Sequence, residues 1–204
     1  MSTGQTPLLL VTGFEPFGGS SVNPSALLAE RLSAPPGWAL ERRILPVDTK
    51  LLSPLLKSLL DDLKPDLILC LGEARGANVF RVETTARNRL AFQLPDNAGE
   101  VVKNEPVIQD GPALLSSTLD LEKALSSLRS LHFAANLSDD AGGFLCNQLF
   151  YSLCHRFLNS PTRVGFLHLP SLPEQGFGQG LNLESQLRAV QALVNALGST
   201  EESP

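Results

Sequence analysis

The side chains suited to nucleophilic and acid–base chemistry are few in this sequence: Cys70, Cys146 and Cys154, with His132, His155 and His168. Three cysteines cannot form a fully paired disulfide framework, and none of their spacings is that of a CxxC or a zinc knuckle. The expectation is free thiols in a reducing compartment, one of which could be a nucleophile. Cys70 lies inside the apolar run Asp66-Leu67-Ile68-Leu69-Cys70-Leu71 and reads as a buried structural thiol. Cys154, between Leu153 and His155 on a helical stretch, reads the same way. Cys146 differs in what precedes it. Ser138-Asp139-Asp140-Ala141-Gly142-Gly143 is a turn sequence, and Phe144 opens a mostly apolar helix reaching Phe157. The thiol then falls in the first helical turn, where unpaired N–H groups and the positive end of the helix dipole stabilise a thiolate. The same N–H groups, or those of Gly142 and Gly143, can hold an oxyanion. A capped structural helix is the alternative reading.

A thiol nucleophile needs a base that takes its proton and returns it to the leaving amine. His132 follows a helix end and reads as a surface or helix-terminal cation. His155 is more than two turns beyond Cys146 on the same helix. His168 stands at the end of the apolar strand Val164 to Leu169, which Pro170 stops, and is the better base; a satisfied core histidine is its alternative. The third member would be a carboxylate that orients the imidazole and stabilises its charged form. Glu15, Glu83, Asp96, Asp139 and Asp140 all stand in plausible places, and spacing does not choose among them.

Positioning these groups requires a scaffold, and the chain alternates short β-type runs with helical ones. Strands are expected at Leu8 to Val11, Leu40 to Val47, Asp66 to Leu71 (closed by Gly72), Val79 to Asn88, Phe133 to Leu137 and Val164 to Leu169. Helices are expected after Asn23-Pro24, with Asn23 as N-cap, at Leu51 to Leu63, within Leu114 to Leu131, at Phe144 to Phe157 and at Leu183 to Leu197. Leu94 to Glu105 reads as loop. This alternation predicts one domain over residues 1–204, an α/β/α sandwich with a mainly parallel twisted sheet and frayed tails at 1–7 and 198–204. Ligands of such sheets sit beyond the carboxyl ends of strands, here after Val11, Leu71, Leu137 and Leu169.

Composition excludes other classes. With 43% hydrophobic and 18% charged residues and a formal net charge of −5, the chain has no basic face for nucleic acid or an anionic membrane. The stretch Leu8 to Val11 is too short for a signal peptide core or a membrane span, which leaves a cytoplasmic location as the expectation. Gly13-Phe14-Glu15-Pro16-Phe17-Gly18-Gly19 follows a strand and precedes a helix, but it lacks the Gly-Lys-Ser/Thr ending of a phosphate loop and the GxGxxG spacing. Two phenylalanines among glycines suit an apolar ligand pocket better. No His or Cys pair has metal-ligand spacing, so neither a metal nor another cofactor is expected.

Four separated segments resemble the pyrrolidone carboxyl peptidases (pyroglutamyl peptidase I), in order and along nearly the whole chain. They are Thr12 to Gly19 with Asn23-Pro24-Ser25; Val82-Glu83 and Asn88 with Leu94-Pro95-Asp96-Asn97; Ala141 to Asn147; and His168 to Gln175. The resemblance implies a cysteine exopeptidase that hydrolyses the amide after an N-terminal pyroglutamyl residue through an acyl-thioester. It makes Cys146 the nucleophile, His168 the general base and acid, and Glu83 the orienting carboxylate. It further implies that Phe14 and Phe17 flank the lactam ring, that Asn23 holds their loop, and that the protein assembles as a homo-oligomer, frequently a tetramer. The chain departs from the family pattern at Glu73, where Gln is usual and faces the lactam, at Gln93 for Arg, and at Thr84-Thr85 for Arg-Val. A carboxylate at residue 73 accepts hydrogen bonds but does not donate when ionised. Two alternatives follow: a related cysteine hydrolase with another amide or lactam as substrate, and a small-molecule binding protein that kept the fold without catalysis.

Overall fold

The computed structural model describes residues 5–199. In chain order the elements are β1 Leu8–Phe14, α1 Pro24–Arg31, β2 Ala39–Leu45, α2 Thr49–Asp62, β3 Leu67–Ala74, β4 Phe80–Glu83, β5 Thr85–Arg87, β6 Leu90–Ala91, β7 Lys103–Glu105, β8 Leu114–Ser116, α3 Leu121–Ser130, β9 Ala135–Ser138, α4 Leu145–Arg156, β10 Arg163–Pro170 and α5 Leu183–Gly198. The main sheet has the order β2-β1-β3-β10-β4-β9. Its first four strands are parallel; β4 joins β10 antiparallel, and β9 runs parallel to β4. The expected α/β architecture with a mainly parallel sheet is therefore present.

The continuous apolar runs explain the centre. β1, β3 and β10 are buried along nearly their whole length because helices cover both faces. On one face Cys70 and Phe166 pack with Leu149, Phe150 and Leu153 of α4 and Leu52 and Leu56 of α2. On the other, Leu69, Leu71, Leu167 and Leu169 pack with Leu28 of α1, Leu128 of α3 and Val190 and Leu193 of α5. Short polar side chains start the helices. Asn23 caps α1, Asp48 accepts from the Lys50 and Leu51 N–H groups at the start of α2, and Asn182 caps α5.

Several boundaries differ from the sequence reading, each for a local reason. β3 continues through Gly72 to Ala74, since β10 pairs with it residue for residue as far as Pro170. The expected strand Val79 to Asn88 is split: β4 joins the main sheet, whereas β5 pairs with β8 in a separate two-stranded sheet. Leu114 to Ser116 consequently form a strand ahead of α3. Lys103–Glu105 pair with Leu90 and Ala91 inside the segment read as loop. Gly198 is not frayed, because it ends α5 and its carbonyl accepts from Trp38 Nε1 at 2.8 Å. Residues 1–4 and 200–204 of the expected tails lie outside the described residues. Among the described residues no helix is long and apolar enough to cross a membrane.

Candidate active site

Cys146 is the second residue of α4, after Phe144 in the N-cap position, and the helix has no side-chain cap. Gly142 makes the entry possible, because its φ of +84° is costly for residues with a Cβ. Its N–H is taken by Asp140 Oδ1 at 2.9 Å. Gln148 makes the first intrahelical bond, to the Phe144 carbonyl. The N–H groups of Leu145, Cys146 and Asn147 have no acceptor among the described residues. Those three donors at a helix N-terminus can take a developing oxyanion or favour a thiolate.

Sheet register places the partners. His168 of β10 lies opposite Gly72 of β3 on one side and Arg81 of β4 on the other. Glu83 lies opposite Phe166, so it is the diagonal neighbour of His168 on the same sheet face. His168 Nδ1 donates to Glu83 Oε1 at 2.7 Å, with Glu83 fully buried and His168 6% exposed. That bond assigns the tautomer and leaves Nε2 for Cys146. Burial is the largest influence on the His168 pKa and lowers it. Hydrogen bonding and charge from Cys146, then from Glu83, outweigh it and raise the pKa from 6.5 to about 9. His168 thus keeps its proton to higher pH than a free imidazole.

Of the five carboxylates that sequence left open, Glu83 is the one hydrogen-bonded to His168. Asp96 is consumed structurally: its carboxylate accepts from the N–H groups of Thr49, Ala98 and Glu100. Asp139 and Asp140 lie at the surface near Arg87, and Glu15 is exposed. The other two thiols are poorly suited to attack. Burial pushes Cys70 up to about 12, and burial does the same to Cys154.

A cavity of about 400 Å³ opens over Cys146 and His168. Phe17 and Phe144 face one another across 5.9 Å between ring centroids, and Phe92 braces Phe144 edge-on at 4.7 Å. Glu73, Arg75, Arg81, Gln93 and Leu94 complete much of its wall. Phe14, expected beside Phe17, does not line it. Phe14 is 3% exposed and packs in the core under the α2 and α4 layer, because it is still part of β1. Asn23 shapes the loop that carries Phe17: its Nδ2 donates to the Glu15 carbonyl, and its Oδ1 accepts from Ser25. Gln175 bridges the segment after His168 to the same loop through Ser20 Oγ and the Val22 carbonyl.

Three contributors escaped the sequence reading. Asn147 grips the strand after Glu83: it accepts from Arg87 N–H and donates to the Arg87 and Arg89 carbonyls. Phe144, read only as a helix start, is an aromatic wall. Gly72 is the third, and a glycine within a buried strand was its available signal, since such glycines often mark close approach. A Cβ at Gly72 would lie 2.9 Å from Cys146 Sγ and 2.8 Å from Phe166 Cζ. Gly72→Ala is expected to displace the thiol and cut turnover by about 10²-fold, the scale of a small misplacement of reacting groups. Overpacking of about 1–3 kcal/mol accompanies it. Thermal unfolding and kcat measured on one preparation would separate the two effects; unchanged kcat would contradict the contact.

A family model for pyroglutamyl peptidase matches residues 8–200. The pyrrolidone-carboxylate peptidase of Bacillus cytotoxicus is 35% identical over 203 residues, covering 95% of this chain and 94% of the relative. That of Chromobacterium violaceum is 40% identical over 169 residues, 82% of this chain and 79% of its own. Among solved structures, the pyrrolidone carboxyl peptidase of Thermus thermophilus superposes with a TM-score of 0.87 at 36% identity, covering 93% of this chain and all of the other. The enzyme from Fervidobacterium islandicum gives 0.90 at 32% identity, covering 94% and 98%.

Proposed function

The chain belongs to the pyroglutamyl peptidase family, and we propose that it hydrolyses the amide after an N-terminal pyroglutamyl residue by attack of Cys146. The observation that carries this is the buried His168–Glu83 bond of 2.7 Å behind the thiol at the helix start. In this reading His168 holds the proton of Cys146, and the thiolate adds to the pyroglutamyl carbonyl. The resulting oxyanion is met by the free N–H groups of the first turn of α4. His168 gives its proton to the leaving amine, and the C–N bond breaks to leave an acyl-thioester. Water, deprotonated by His168, adds to the thioester and releases pyroglutamate. Glu83 keeps the imidazole oriented and stabilises its charged form at both stages.

Phe17 and Phe144 supply apolar faces for the flat lactam, whereas the carboxylate of Glu73, next after Gly72 along β3, turns to the opposite sheet face and accepts from Ser171 Oγ. Asn23 acts through the Phe17 loop without touching substrate. Release of a chromophore from a pyroglutamyl anilide tests the activity; a protein that turns over no such substrate at any pH would refute the proposal.

The raised His168 pKa has a direction. The imidazolium is the acid for the leaving amine, so its contribution to acylation is complete well below pH 9 and is lost as pH rises through about 9. Stability follows the same sign: the part due to charged His168 is complete below its unfolded value of 6.5 and is lost through about 9. A kcat/KM profile should show an alkaline limb near 9; a limb near 6.5 would mean that Cys146 and Glu83 do not act on His168.

Peptides beginning with pyroglutamate are the proposed substrates. Its free thiols support a cytoplasmic setting. Assembly as a homotetramer follows from the family resemblance, and sedimentation of the purified protein would read it directly.

A further inference from the structure

Most charged side chains around the cavity are already committed. The Arg75 guanidinium stacks between the rings of Phe17 and Phe177 at 4.5 and 4.4 Å and donates to the Phe17 carbonyl. Asp140 Oδ1 accepts from the Gly142 N–H at 2.9 Å and faces Arg87 Nε at 3.6 Å. Glu73 is turned to the other sheet face, where it accepts from Ser171 Oγ. Arg81 is different. It is exposed on the cavity wall, and among the described residues its guanidinium has neither an ion-pair partner nor a hydrogen bond.

Sheet register gives this cation its place. Arg81 lies directly opposite His168 in the antiparallel β4–β10 pair and beside the neutral Asn136 of β9. Directly opposed residues share a sheet face. The alternation along β4 agrees: Phe80 and Val82 pack with α1, α3 and α5, so Arg81 and Glu83 take the face of Cys146. Strand order then lays out the site. Phe17 follows β1, Gly72 lies under Cys146 on β3, His168 is on β10 and Arg81 on β4, with about 4.8 Å between neighbouring strands. In the proposed mechanism the lactam occupies the Phe17 end and His168 protonates the leaving amine. The leaving residue therefore extends from His168 toward β4. Its carbonyl carbon stands only about 2.5 Å from the amine nitrogen, and a guanidinium fork matches a carboxylate there.

We propose that Arg81 makes this site prefer pyroglutamyl substrates whose first residue after the scissile bond carries a carboxylate. The group is either the free C-terminal carboxylate of a pyroglutamyl dipeptide or the side chain of Asp or Glu. The inference rests on the proposed function and names a subset of its substrates. Arg81 acts here as a specificity residue and moves no proton. It holds the leaving residue while the C–N bond is intact, and the contact ends when the amine departs. Every such substrate leaves the same pyroglutamyl thioester on Cys146, so the preference belongs to acylation and reads in kcat/KM.

The test measures kcat/KM within two substrate pairs: pyroglutamyl-alanine against its C-terminal amide, and pyroglutamyl-glutamate amide against pyroglutamyl-glutamine amide. Wild type should favour the carboxylate member of at least one pair by about 5-fold, the scale of an exposed ion pair. High salt should shrink that preference. Arg81→Gln should bring the ratio to about 1, Arg81→Lys should keep part of it, and Arg81→Glu should invert it. Each ratio is taken within one variant, so a general loss of turnover cancels. A preference confined to the first pair assigns the C-terminal carboxylate; one confined to the second assigns the acidic side chain. Equal rates within both pairs, or a preference that Arg81→Gln leaves intact, overturn this inference and leave the proposed function standing. No hydrolysis of any pyroglutamyl substrate overturns both.

Discussion

Cys146→Ala is expected to abolish hydrolysis of a pyroglutamyl anilide, with kcat/KM falling by about 10⁴-fold or more, as when other covalent hydrolases lose their nucleophile. Cys70→Ala and Cys154→Ala should retain most activity and instead show a stability loss from the cavity each leaves. Both are buried, at 0% and 4% exposure, in the core between the sheet and the α2 and α4 layer. Burial holds their pKa near 12, so neither supplies thiolate at neutral pH. Cys146 alone combines partial exposure, a helix N-terminus and a histidine. Alanine at 146 leaves the helix start uncapped as before, so circular dichroism should be unchanged while turnover vanishes.

Glu83→Gln should be the second large effect, a fall in kcat of roughly 10³–10⁴-fold, the size seen when an amide replaces the carboxylate of a catalytic triad. Glutamine fills the same space but removes the charge facing His168 Nδ1, and its amide can present the wrong atom to the ring. Because the Glu83 hydrogen bond and charge both raise the His168 pKa, their loss moves it down. The alkaline limb should move below 9 with it, whereas a purely structural role would lower kcat at every pH without shifting the limb. Measuring the profile with Glu83→Asp as the conservative comparison checks this. An unshifted limb would assign Glu83 to packing alone.

Much of this arrangement is readable before any coordinates. The run Leu8 to Val11 announces a strand covered on both faces, Asn23-Pro24 announces a capped helix, and the turn before Phe144 puts Cys146 at a helix start. These are local signals, fixed by backbone sterics and hydrophobic pattern. Glu83 could not be chosen locally. Its role depends on β4 joining β10 antiparallel in one register, and the partners are 85 residues apart. A one-residue slip would turn Glu83 to the other sheet face. The same non-local pairing hid the break between β4 and β5 and the strand at Leu114. Gly72 was misread as a strand end because a glycine signals both termination and close approach, and only the position of Cys146 separates the two. Phe14 and Phe17 look equivalent as glycine-flanked phenylalanines; one remains in the strand and the other reaches the cavity.

Stoichiometric alkylation of the native protein, followed by peptide mapping and pyroglutamyl-anilide turnover, tests the central claim most directly. One equivalent of iodoacetamide should label Cys146 ahead of Cys70 and Cys154, and activity should fall in proportion to that label. Turnover persisting in protein fully alkylated at Cys146 would contradict the account.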